Sequence, residues 1–137
     1  MRLVLILLAA TAVAAPAIAA PTKFQVAMTG AAEVPGPGAD KGKGEASLTF
    51  DTDKGQVCYM LMASGIDTPT MAHIHKGAAG VAGGVVVPLA PPANGMSEGC
   101  APLGADVLAA ILAAPADYYV NVHTAAFPKG AIRGQLK

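Results

Sequence analysis

Glu45-Ala46-Ser47-Leu48-Thr49-Phe50-Asp51-Thr52-Asp53-Lys54-Gly55 is the stretch on which the reading of the fold turns. Ala46, Leu48 and Phe50 alternate with Glu45, Ser47, Thr49 and Asp51. That period of two puts the apolar side chains on one face of a half-buried strand. Asp51 to Gly55 is rich in turn residues, so the chain reverses there. Gln56 to Ser64 is then the returning arm of a hairpin. Upstream, Phe24, Val26 and Met28 alternate with Gln25, Ala27 and Thr29 in the same way.

Downstream, Met71 to Lys76, Gly84 to Leu89, Tyr118 to Thr124 and Ile132 to Leu136 read as further strands. The small residues of Gly77 to Gly83 form the loop between the first two, and Pro88 and Pro91-Pro92 end the second. Asn94 to Gly104, which contains Cys100, is expected to be an irregular loop. Ala105 to Ala114 breaks the pattern: it is rich in Leu and Ala, stops at Pro115, and predicts a short helix. Val107, Leu108, Ile111 and Leu112 would form its apolar stripe. Seven short strands and one helix predict an all-β fold, an antiparallel β-sandwich or barrel.

Composition narrows the function. At 137 residues the chain is one domain by default, and with 13% charged and 53% hydrophobic residues it is not an extended disordered protein. Nine basic residues balance nine acidic ones, which leaves no footprint for nucleic acid and no polybasic patch for a membrane. Arg2, the apolar run Leu3 to Leu8 and the small-residue stretch ending in Ala17-Ile18-Ala19 predict a signal peptide over residues 1–20. The mature domain is then 21–137, periplasmic or secreted, with no stable membrane span after cleavage. In such a compartment Cys58 and Cys100, the only two cysteines, are expected to form a disulfide rather than to act as thiolate ligands. It would close a loop of about 40 residues, worth roughly 4 kcal/mol on the loop-entropy model, with Cα atoms about 4.4–6.8 Å apart.

The three histidines carry the chemistry. In Ala72-His73-Ile74-His75, residues two apart share a face, so Ala72 and Ile74 take the core while His73 and His75 point away together. In Tyr119-Val120-Asn121-Val122-His123-Thr124, Val120 and Val122 face the core and His123 lies on the other side. If the two strands are neighbours, three imidazoles converge, a set that suits copper or zinc and leaves a fourth position open. The bland alternative is three surface histidines titrating near neutral pH. The outer ring nitrogens of a metal site need acceptors, and Glu33 and Asn121 are the nearest guesses.

Weaker candidates surround these. Met71 shares a face with His73, and Met60 and Met62 share a face of their strand; thioethers favour copper(I), although Met more often fills core gaps. Glu33 reads as a ligand, an acceptor for an imidazole N–H, or a solvated loop carboxylate. Arg133 reads as an anion guide or one half of a surface pair. None of Ser47, Ser64 and Ser97 lies in G-x-S-x-G, and no Gly-rich loop leads from a strand into a helix as a phosphate cradle requires.

Four segments, in this order, resemble the CHRD domain, named after chordin and found in many bacterial secreted proteins. They are Thr29-Gly30-Ala31-Ala32-Glu33-Val34-Pro35, Ala72-His73-Ile74-His75-Lys76-Gly77, Tyr119 to Thr124, and Ile132-Arg133-Gly134-Gln135-Leu136. Gly36-Pro37-Gly38 replaces the family's usual second proline, and Ala131 stands where an acidic residue is common. A looser similarity, at the level of the site, is to copper–zinc superoxide dismutase, which also sets H-x-H on a strand of an antiparallel sandwich and uses a disulfide and a nearby arginine. The architecture expected on these grounds is immunoglobulin- or superoxide dismutase-like. That enzyme's additional histidines and zinc-site aspartate are missing here.

Three functions follow. The first is an exported metalloprotein whose His73, His75 and His123 hold one copper or zinc ion, copper favoured, with redox activity on superoxide or another small oxidant and Arg133 as anion guide. The second is a non-catalytic module that binds a protein or polysaccharide. The third is a periplasmic copper carrier that uses Met71 or Met96 beside the histidines and takes its ion from a metal donor. Homo-oligomerisation is left open.

Overall fold

The computed structural model describes residues 19–137. The predicted signal peptide lies outside them, apart from Ala19 and Ala20. Eight strands form one antiparallel sheet: β1 (Thr22–Thr29), β2 (Lys43–Asp51), β3 (Gln56–Ser64), β4 (Pro69–Lys76), β5 (Val85–Leu89), β6 (Met96–Pro102), β7 (Tyr118–Thr124) and β8 (Ile132–Gln135). Their spatial order is β5-β4-β7-β8-β1-β2-β3-β6. The sheet curls almost to closure. Where its edges meet, the Ala90 N–H donates to the Tyr59 hydroxyl at 2.8 Å, and the Ser97 hydroxyl donates to the Ala90 carbonyl at 2.7 Å.

The alternation read from the sequence is the alternation seen. Val26, Met28, Ala46, Leu48, Phe50, Val57 and Leu61 are all buried inside the barrel, joined by Ile74, Val120, Val122 and Ile132 from the other half. The helix α1 (Ala105–Ala113) caps this core with Leu108 and Ile111 fully buried and Val107 and Leu112 packed at the margin. It ends just before Pro115, as its missing N–H requires.

Three expectations change. Residues 96–102 are a strand, not an irregular loop. The segment has no β-branched residue and little apolar periodicity, so its extended form is imposed by pairing with β3 rather than by local preference. Cys58 and Cys100 are register partners in that pairing and form the expected disulfide, but with Cα atoms 3.9 Å apart, below the expected separation, because directly paired antiparallel strands hold them closer. Finally, β7 does not have one wet face: all seven of its residues are buried. Its outer side is roofed by the 77–83 loop and by residues of β8, so the histidine face is a second, polar interior.

Candidate metal centre

Register brings the histidines together. β4 and β7 pair antiparallel, with Met71 opposite His123, His73 opposite Asn121 and His75 opposite Tyr119. Ala72 and Ile74 face the barrel core, so His73 and His75 share the outer face with His123. One ring nitrogen from each histidine lies within 4.8 Å of the other two. His73 Nδ1 is 3.0 Å from His123 Nε2. Two atoms that each sit about 2.0–2.1 Å from a common ion are about 3 Å apart, so this spacing suits shared coordination.

On His75 and His123 the opposite ring nitrogen is already committed. His75 Nδ1–H donates to the Gly83 carbonyl at 2.9 Å, and His123 Nδ1–H donates to the Pro128 carbonyl at 3.1 Å. Each bond fixes the tautomer and leaves Nε2 as a lone pair. His75 Nε2 is buried and has no hydrogen-bond partner. His123 Nε2 accepts from His73 Nδ1–H while both rings are neutral. The acceptors are thus backbone carbonyls, not Glu33 or Asn121, and sequence alternation cannot foresee a loop carbonyl.

The electrostatics keep the His73 and His123 rings neutral. Burial pushes the His73 pKa down to about 4, reinforced by the neighbouring His123 and His75. Burial also lowers that of His123, against the pull of the Pro128 carbonyl. Neutral imidazole is the form a metal needs.

Arg133 occupies a different place from the surface position expected. It is 1% exposed. Its guanidinium donates to the carbonyls of Val81 at 2.9 Å and Ala78 at 2.8 Å, and to Gln135 Oε1 at 3.2 Å. It also lies 3.4 Å from the centre of the Tyr119 ring, a cation–π contact. Gln135 adds bonds to the Gly77 and Ala116 carbonyls at 2.6 and 2.8 Å. Arg133 and Gln135 therefore clamp the 77–83 loop against His75 and Tyr119, and that loop supplies the Gly83 carbonyl. Gly134, between Arg133 and Gln135, lets β8 lie close against β1, because a Cβ there would lie 2.2 Å from the Ala27 carbonyl oxygen.

Tyr119 was not singled out by the sequence. Its ring stacks on His75 with centroids 4.8 Å apart and planes within 5°, and its hydroxyl accepts from the Gly83 N–H at 3.1 Å. Alternation placed it on the histidine face, which was the one available signal.

Glu33 is neither solvated nor a member of the ligand cluster. It is 5% exposed, and one carboxylate oxygen lacks any partner, as does the Asn121 side-chain oxygen. Burial raises its pKa to about 7; the Arg133 charge, the Val34 N–H and the Asn121 side chain pull the other way and lose. Its space is made by Gly130, whose φ of +137° and missing Cβ leave room where a Cβ would meet the carboxylate at 2.3 Å.

Elsewhere, an open groove of about 620 Å³ runs over Thr29, Lys43, Glu45, Met62 and Gly95 and includes none of the histidines. No helix among the described residues is long and apolar enough to cross a membrane. Residues 24–136 match the model of the CHRD domain family. No curated protein and no solved structure matches the chain.

Proposed function

We propose that this chain, which belongs to the CHRD domain family, is an exported protein whose His73, His75 and His123 hold a single transition-metal ion. The observation that carries the reading is the buried, unpartnered Nε2 of His75. Its ring is oriented by a carbonyl on the other nitrogen, and it aims a bare lone pair toward two more imidazoles. Leaving such an atom without a partner costs about 1–3 kcal/mol, and an ion would recover that cost. Copper and zinc both accept three imidazoles; the absence of a carboxylate from the donor set disfavours magnesium, calcium and manganese, and copper is favoured over zinc by the general affinity order of nitrogen sites. When bound, the ion supplies Lewis-acid chemistry, or redox chemistry if it is copper. The protein's part is to keep the His73 and His123 rings neutral, to orient His75 and His123 through backbone carbonyls, and to cover His75 with the clamped loop. Ion entry would require His73 to carry its proton on Nε2 instead of Nδ1, a change of tautomer that leaves the ring neutral and frees Nδ1 as a donor, so binding to the neutral cluster releases no proton. The predicted signal peptide and the Cys58–Cys100 bridge support a periplasmic or secreted setting.

The test is metal analysis of protein exported and purified without added metal. About one copper or zinc ion per chain is expected, and His123→Ala should lose it while keeping the β-rich circular dichroism spectrum. Stoichiometric metal in His123→Ala sinks the assignment. The binding-module reading keeps one observation in its favour, the open groove over β1, β2 and β3. It would take precedence if the purified protein carried no metal and accepted none.

A further inference from the structure

A side chain of different chemistry stands at the rim of the cluster. Met71 is directly opposite His123 in the β4–β7 register and two residues before His73, so it shares their face. Directly opposed residues on neighbouring strands have Cβ atoms about 4.5–5.5 Å apart, within reach of an unbranched side chain. Met71 is 45% exposed, whereas His75 and His123 are buried at 7% and 5%. Packing does not explain it, because β4 feeds the core through Ala72 and Ile74 instead.

We propose that Met71 is a fourth, thioether donor to the ion held by the three histidines, and that it biases the site toward copper(I) over zinc(II). The proposal rests on the three-histidine reading and adds the identity of the ion. Two arguments support the bias. A thioether is a soft, neutral ligand that favours copper(I) and adds little for zinc. The full donor set, three imidazoles and a thioether, carries no negative charge, and the Arg133 guanidinium stands behind Tyr119 on the same face. Burying an ion there costs desolvation that grows with the square of its charge, so a monovalent ion is penalised less than a divalent one.

The test is competition binding on the metal-stripped exported protein, with copper(I) under anaerobic conditions and with zinc(II), each against a chromogenic chelator. Met71→Leu keeps size and hydrophobicity and removes only the sulfur. It is expected to weaken copper(I) binding about tenfold or more and to leave zinc affinity nearly unchanged. X-ray absorption on the copper(I) form should show a sulfur neighbour in the parent protein and none in the variant. Met62 and Met96 face each other on β3 and β6, which pair with neither β4 nor β7, so the double change Met62→Leu/Met96→Leu should alter neither affinity. Equal weakening of both ions in Met71→Leu, or copper(I) loss in the β3/β6 variant instead, overturns the proposal. Histidine-dependent copper(I) binding indifferent to Met71 overturns it while sparing the three-histidine site. Binding of neither ion by the parent protein overturns both.

Discussion

Replacing Glu33 with Gln exchanges a buried carboxyl for a neutral amide of nearly the same shape, and the structure predicts that stability rises. In the folded chain burial lifts the Glu33 pKa from 4.5 to about 7. At 1.36 kcal/mol per pH unit, that displacement is worth about 3 kcal/mol. The sign follows from proton counting. Below pH 4.5 the group is protonated in both states and costs nothing. Between 4.5 and about 7 the folded state holds a proton that the unfolded state has lost, so stability falls as pH rises. Above about 7 both states are ionised and the whole cost is present. The attraction of Arg133 is already contained in the net shift, so it does not change the sign. Urea unfolding of the metal-stripped parent and Glu33→Gln proteins at pH 4 and pH 8 measures the effect. The two should be nearly equal at pH 4, and the variant should be more stable at pH 8 by about 3 kcal/mol. His73 and His123 titrate in both proteins, so their contribution cancels in the difference. A variant less stable than the parent at pH 8 would show that Glu33 works there as a paired carboxylate, and the account of a buried neutral acid would be wrong.

Two further outcomes are expected. Arg133→Lys keeps the charge but replaces a planar fork with a single ammonium, so it cannot reproduce the bonds to Ala78, Val81 and Gln135 together. Hydrogen exchange at Gly83 should quicken, and metal retention should drop about 10- to 100-fold; unchanged exchange at Gly83 would remove Arg133 from its clamp role. In the metal-free protein, an NMR titration should find the His73 ring protonating near pH 4, well below the ordinary 6.5. Because the folded state resists that proton, His73 makes stability fall as pH drops from 6.5 toward 4, opposite in sign to Glu33. A His73 midpoint at or above 6.5 would contradict the neutral cluster.

What could be read from the residues was whatever period two encodes. Ala46, Leu48 and Phe50 announced their strand, and His73-Ile74-His75 announced two imidazoles on one face. The pairing of β4 with β7 was a condition the sequence reading had to assume, since register is a property of two strands. β6 stayed hidden because its extended form is borrowed from β3. The burial of Glu33 and Arg133 stayed hidden for a related reason. A charged residue away from the core reads as solvated, and only the return of the 77–83 loop over Arg133, and the close approach of Gly38 and Gly130 to Glu33, makes their surroundings an interior. The acceptors of His75 and His123 are main-chain carbonyls, which no side-chain pattern reports.

The four segments that carry the family resemblance are scattered along the chain but adjacent in space. They are the end of β1 with the turn that follows it, then β4, β7 and β8, and β4-β7-β8-β1 is a continuous run in the sheet order. Their polar residues meet on one outer face: Glu33 and Asn121, His73, His75 and His123, Tyr119, Arg133 and Gln135. Their apolar residues, Ile74, Val120, Val122, Ile132 and Leu136, face the other way into the common core. β2, β3, β6 and the helix α1 supply no atom to the histidine cluster. The family pattern therefore describes a polar layer built on half of a barrel, and the other half serves to close the core beneath it. The coupling between the two is short. Gln135 and Arg133 hold the loop, the loop presents the Gly83 carbonyl, and that carbonyl decides which nitrogen of His75 is left bare. A change at Gln135, which touches no histidine ring, thus reaches the site through two hydrogen bonds and one loop.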